Sequence, residues 1–181
     1  MTSNKEIKYG GKVFFLDRSD INTDEIIPAK YLTHIEREPL KPLLLEDLKI
    51  DGLDPKSVKW DDYQVVVSRA NFGCGSSREM AVWAFRVNGI STVIAQNFAR
   101  IFRENAFNDG MLAIELNEAK INEIFEKFSK KKDVTADIDL NKMNITLKSE
   151  GISETYQFEL NPFQKEVIQH GGLVHFMNKK F

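Results

Sequence analysis

Asn71-Phe-Gly-Cys-Gly-Ser-Ser-Arg-Glu-Met80 follows the apolar run 64–67 and leads into a second apolar stretch, Met80 to Val87. That order predicts strand, glycine loop, helix. Gly73 and Gly75 permit positive φ and close approach of a ligand to the backbone, so the loop can aim successive N–H groups at one point ahead of a helix N-terminus. Ser76 and Ser77 add hydroxyls and Arg78 a planar cation, a combination suited to holding a carboxylate bidentately beside a reacting carbon. Ser76-Ser77-Arg78-Glu79 also spells a capping box, with Ser76 accepting from the Glu79 N–H and Glu79 reaching back. A capping box accounts for Ser76 and Glu79. It requires neither two flanking glycines, nor a second serine, nor the arginine.

Outward from this loop, the valine-rich run Gln64 to Ser68 reads as a buried strand. The helix after Ser76 places Met80, Trp83, Ala84 and Val87 on one apolar stripe and ends at Asn88-Gly89. Ser91 to Ala95 is a second strand, and Asn97 is expected to cap a helix carrying Phe98, Ile101, Phe102 and Ala106, with Arg100 and Arg103 turned to solvent or a partner. Asn108-Asp109-Gly110 ends that helix before a third strand, Met111 to Leu116. This is a βαβ alternation, in which ligands lie beyond the strand C-termini, where the glycine-serine loop falls.

Towards the N-terminus, Lys12 to Leu16 reads as the first strand, followed by a polar loop from Asp17 to Asp24 that either caps the backbone or lines a site. Pro28 starts a turn of helix over 29–35. Pro39, Pro42 and Pro55 break 36–62 into short helices and turns whose carboxylates show no metal-ligand spacing. Towards the C-terminus, Ala119 to Phe128 fits an amphipathic helix ending in Lys130-Lys131-Lys132. Asp133 to Leu140 and Met143 to Lys148 form a hairpin, Thr155 to Leu160 adds a strand, and the helix Pro162 to Gln169 breaks at Gly171-Gly172 before Leu173 to Met177.

The 181 residues, 42% hydrophobic, fit a single domain over 1–181. With 25 basic and 27 acidic residues and a formal charge of −2, nothing calls for nucleic acid or an anionic membrane as partner. Cys74, the single cysteine, excludes an internal disulfide and cannot by itself hold an iron-sulfur cluster. The chain has no apolar run of membrane-spanning length and no signal-peptide core, so a cytoplasmic protein is expected.

Gly73 to Glu79 resembles the signature of the aconitase-type swivelling domains, in particular the separate small subunits of 3-isopropylmalate dehydratases. The likeness continues through Asp20 to Leu32, Ile94 to Phe102, Asn105 to Gly110 and Gly171 to Val174, in order and spacing. Met80 stands where the family usually has His. The resemblance implies an α/β fold of the aconitase-like swivelling type, three-layered β/β/α, with a mixed sheet, βαβ units and a C-terminal hairpin and helices. It also implies a reaction: dehydration and rehydration that moves a hydroxyl between adjacent carbons of a malate-type acid, interconverting 2- and 3-isopropylmalate in leucine biosynthesis.

In that family the position of Ser76 moves the carbon-bound proton, and those of Ser77 and Arg78, with Gly73 and Gly75, bind substrate carboxylate. Thr23 and Asp24 fall at the site edge, and Tyr31, Leu32 and Thr33 in the segment that reads the substrate. Members that accept an extra carboxylate carry an arginine after the Tyr-Leu pair. Thr33 here favours an apolar or small group, with Lys30 and His34 as nearby cations. The implied partner is a large subunit, in a heterodimer or heterotetramer, that holds a labile 4Fe-4S cluster; this chain is expected to hold no cofactor or metal. Its loop side is expected to expose groups to that partner, and a small dicarboxylic acid is the expected substrate. A dehydratase of the citraconate/methylmalate, dimethylmalate or homoaconitate type is the alternative, as is a non-catalytic anion-binding domain that keeps the loop.

Overall fold

The computed structural model describes residues 9–181 apart from Leu32, His34 and Ile35. Seven strands form one mixed sheet in the order β4-β3-β2-β1-β5-β6-β7. They are β1 (Gly10–Phe15), β2 (Val65–Val67), β3 (Thr92–Ala95), β4 (Leu112–Glu115), β5 (Thr135–Asp139), β6 (Asn144–Ser149) and β7 (Ile152–Gln157). Strand β1 serves both halves of the sheet: Val13–Phe15 pair in parallel with β2, and Gly10–Lys12 pair antiparallel with β5. The close approach at that join needs Gly10, whose φ is +114° and where a Cβ would lie 2.5 Å from the Ala136 carbonyl oxygen.

Among the described residues six α-helices complete the fold: α1 (Thr23–Ile26), α2 (Glu79–Val87), α3 (Arg100–Asn108), α4 (Glu118–Phe128), α5 (Pro162–Gln169) and α6 (Leu173–Lys180). The succession β2-α2-β3-α3-β4 is the expected βαβ pair, with all three strands parallel. Every residue of β2 and β3 is buried, which is why these runs read as continuous rather than alternating apolar sequence. The expected C-terminal hairpin is the β5-β6 pair, extended by β7. Along β1 the side chains alternate between faces. Phe14 packs edge-on against Trp60 and Tyr63, at 4.8 and 5.0 Å, whereas Phe15 meets Phe125 of α4 at 5.6 Å. The short 3-10 turns of residues 38–62 thus cover one face and α4 the other.

Three sequence expectations need correction. On α2 the fully buried residues are Ala81, Val82, Ala84 and Phe85, so the helix is rotated relative to the stripe drawn through Met80, Trp83 and Val87, which are half-buried. On α3 the inward residues are Phe102, Ala106 and Phe107, and Ile101 is 41% exposed. Arg103 does not project outward as Arg100 does. Its guanidinium lies over the Phe107 ring at 5.3 Å, with Nε 3.8 Å from Glu115, because the aliphatic stem gains more by packing back on the helix.

The Tyr9 hydroxyl is buried 3.0 Å from the carbonyl oxygens of Gly110 and Ile168, which share its proton, tying the residue before β1 to the ends of α3 and α5. Burial pushes its pKa from 10.0 up to about 12. A phenol raised on folding contributes stability that is complete below the unfolded value and is lost as pH rises through the folded one. Stability should therefore fall between pH 10 and about 12. In Tyr9→Phe that alkaline fall should be shallower, and neutral-pH stability lower by about 1 kcal/mol, as read by denaturant melts across pH.

Candidate active site

The parallel pairing of β1 with β2 continues beyond the strands and lays two loops side by side. Leu16 N–H donates to Val67 O, Asp20 N–H to Ala70 O, Gly73 N–H to Ile21 O and Thr23 N–H to Cys74 O, all at 2.8–2.9 Å. Side chains lock the same pair: Ser68 Oγ donates to Arg18 O at 3.0 Å and Asn71 Nδ2 to Asp20 Oδ1 at 2.9 Å. On its other flank the glycine loop is held by the segment leaving β3. Phe72 N–H donates to Asn97 O and Ala99 N–H to Phe72 O, at 3.1 and 2.9 Å. The Asn97 side chain accepts from Asn71 N–H, so Asn97 fastens the glycine loop and does not cap α3. The reason is position: α3 begins three residues later, beyond reach of that cap.

Both loop glycines have positive φ, +78° at Gly73 and +97° at Gly75. A Cβ on Gly73 would lie 2.6 Å from Phe102 Cβ, so α3 packs directly beneath the loop. Ser76 and Ser77 are exposed, and α2 begins only at Glu79, with Arg78 as an N-cap that makes no side-chain capping bond. Ser76 therefore stands two residues outside the helix cap, and the capping box spelled by the sequence does not form. The backbone N–H groups of Gly75 to Glu79 donate to no other described residue, which leaves them available to water or a bound anion.

Arg78 is the best-shielded charge of the loop, its side chain 16% exposed, and it pairs with the Asp24 carboxylate, which is 61% exposed. Asp24 is placed by α1, a single turn closed by a reciprocal cap in which Glu25 N–H donates to Asn22 Oδ1 at 3.0 Å and Asn22 N–H to Glu25 Oε2 at 3.1 Å. Arg18 in turn holds Glu25. Thr23, 1% exposed, sits beneath Gly75, and its hydroxyl oxygen is buried without a hydrogen-bond partner among the described residues. Thr23, Asp24, Gly73, Gly75, Ser76, Ser77 and Arg78 are thus one assembly. Tyr31 turns its hydroxyl to Glu46, at 2.7 Å, and Thr33 is exposed on the segment that follows; Leu32 and His34 lie outside the described residues.

Burial holds the Cys74 thiol above its ordinary pKa, so at neutral pH it stays protonated, the wrong form for a nucleophile. Among the described residues no group of three His, Cys, Asp or Glu side chains could hold a metal ion. With a single cysteine in the sequence, the described donor set does not fit an iron-sulfur cluster. Met80 is half-buried in the first turn of α2 and packs on the core. An open cavity of about 600 Å³ lies elsewhere, between the end of β4 and the starts of α4 and α5. Its Arg103 is paired with Glu115, its Lys120 Nζ donates to Gln157 O at 3.5 Å, and the glycine-serine loop contributes nothing to its wall. Among the described residues the exposed large apolar side chains are Ile101, Phe163, Val174, Met177 and Phe181, in α3, α5, α6 and after α6.

The paired loops, α2, β3, α3 and β4 all fall within residues 4–119, which match the model of the aconitase C-terminal domain family. The chain belongs to that family. It is 34% identical over 175 residues to the 3-isopropylmalate dehydratase small subunit of Brevibacillus brevis, an alignment covering 93% of this chain and 89% of the relative. The crystal structure of 3-isopropylmalate dehydratase from Methanocaldococcus jannaschii superposes with a TM-score of 0.74 at 32% identity, over 96% of this chain and 95% of that one. The aconitase-family fold expected from the loop signature is the one observed, a mixed seven-stranded curled sheet with helices. Two contacts around the loop and its neighbouring segment escaped the sequence reading, Asn97 to the loop and Arg37 to Asp109. Each joins residues too far apart for any local pattern to reveal.

Proposed function

We propose that this chain, folded as a single swivelling domain, is the small subunit of a 3-isopropylmalate dehydratase and interconverts 2- and 3-isopropylmalate together with a large subunit. The observation that carries the reading is the loop itself, where two exposed serines and a run of N–H groups without a partner among the described residues lead to the α2 N-cap Arg78, which is paired with Asp24. In this reading Arg78, Ser77 and the loop N–H groups bind a substrate carboxylate, with Gly73 and Gly75 keeping the backbone within reach of it. Ser76 removes and returns the carbon-bound proton. A serine hydroxyl is a weak base, and it can serve only where N–H groups and a cation stabilise its alkoxide. Thr23 and Asp24 border the site, Asp24 holding Arg78 in orientation until the carboxylate arrives.

The Tyr31-Leu32-Thr33 segment reads the variable group of the acid. Thr33 offers a methyl and no charge, and the described cations on either side are already matched: Lys30 Nζ lies 3.5 Å from Glu46, and Arg37 is paired with Asp109. Among the described residues a desolvated extra carboxylate would find no unmatched cation there, whereas an isopropyl group needs none. The 4Fe-4S cluster belongs to the large subunit, where it supplies the Lewis acid for the leaving hydroxyl.

Purified alone, the chain should show no isopropylmalate turnover; mixed anaerobically with a cluster-loaded large subunit it should form a stable complex and acquire it. Turnover by the partner-free chain, or failure of the two to associate in a pull-down, would count against the assignment.

A further inference from the structure

Two nearly buried carboxylates hold the two ends of the segment that carries Tyr31 and Thr33. At its start, Glu46 accepts a 2.7 Å hydrogen bond from the Tyr31 hydroxyl and lies 3.5 Å from Lys30 Nζ. At its end, Asp109 takes a bidentate grip from Arg37, whose guanidinium also lies 4.9 Å over the Trp83 ring, and Arg86 Nε stands 3.5 Å from the same carboxylate. The Glu46 and Asp109 side chains are 13% and 14% exposed, against 63% and 47% for Lys30 and Arg37. The carboxylates are therefore fixed points to which the cations come.

Each carboxylate is built into a part that also shapes the site. Asp109 is the C-cap residue of α3, the helix under Gly73; its partner Arg86, like the Trp83 ring beneath Arg37, belongs to α2, the helix capped by Arg78. Glu46 follows Leu45, whose N–H donates to Ile26 O at 2.9 Å, and Ile26 ends the turn that carries Asp24. We propose that Glu46 and Asp109 are positioning residues for substrate discrimination, anchoring the two ends of residues 30–37 to the helices of the site and keeping Lys30 and Arg37 from offering charge to the substrate. The proposal rests on the reading of this segment as the one that meets the variable group.

Glu46→Gln and Asp109→Asn keep shape and remove charge. In the two-subunit enzyme each should raise KM for isopropylmalate about tenfold with kcat within about twofold, and narrow its kcat/KM advantage over homoaconitate about tenfold, as Lys30 or Arg37 is released. Glu46→Asp and Asp109→Glu should recover part of both. Trypsin should cut the free chain faster after Lys30 in Glu46→Gln and after Arg37 in Asp109→Asn. A lower melting temperature with wild-type KM, selectivity and cleavage would reduce both residues to structural roles and overturn the proposal. Absence of isopropylmalate turnover in the wild-type complex would fail the functional reading instead; the variants are then compared on the acid the wild type does use, and unchanged cleavage and KM still overturn the anchoring.

Discussion

Ser76→Ala in the reconstituted enzyme is expected to lower kcat by about 10²–10⁴-fold with KM within a few-fold of wild type, the signature of lost proton transfer rather than lost binding. The stability of the isolated chain should hardly change, by about 0.5 kcal/mol at most, because Ser76 is exposed and stands outside the cap of α2. That second half separates the two roles the sequence left open. A capping serine would cost about 1 kcal/mol of stability and leave turnover near normal. Thermal melts of the free chain, alongside steady-state kinetics of the complex, read both, and near-normal kcat would remove Ser76 from the chemistry.

Arg78→Lys is expected to act on binding as well. A guanidinium can hold a carboxylate with two parallel N–H donors, and an ammonium cannot, so KM should rise about tenfold or more and kcat fall with it. The loss should not come from unfolding. The Asp24 partner is 61% exposed and open to water, and an ion pair of that kind contributes about 0–1 kcal/mol. If Arg78→Lys instead melts the chain early and binds substrate normally, Arg78 serves α1 and α2 rather than the substrate.

The glycine loop and the βαβ order around it were legible because each depends on short-range chemistry. Gly73 and Gly75 adopt the positive φ that their type permits, and the all-valine β2 is buried on both faces, as a continuous apolar run implies. The errors arose where a side chain had a choice between a local and a distant partner. Ser76 and Asn97 both matched local capping patterns, and neither caps: α2 and α3 start later than the patterns suggested, and Asn97 is used across 26 positions to hold Asn71. The Arg37–Asp109 pair spans 72 positions and could not be seen without the fold. The Ile101 position failed for a similar reason, since the face that α3 buries is set by the approach of Phe102 to Gly73 and of α5 and α6 to the helix, not by its own periodicity.

The most direct test compares kcat/KM for 2-isopropylmalate, citramalate and homoaconitate with the reconstituted two-subunit enzyme. With Thr33 uncharged, Lys30 matched by Glu46 and Arg37 by Asp109, isopropylmalate should be preferred over homoaconitate by at least about a hundredfold, the cost of leaving one carboxylate without a partner. Preference for the tricarboxylic acid would contradict the assignment of this segment and of the reaction, and preference for citramalate would move the chain to the methylmalate branch of the same family.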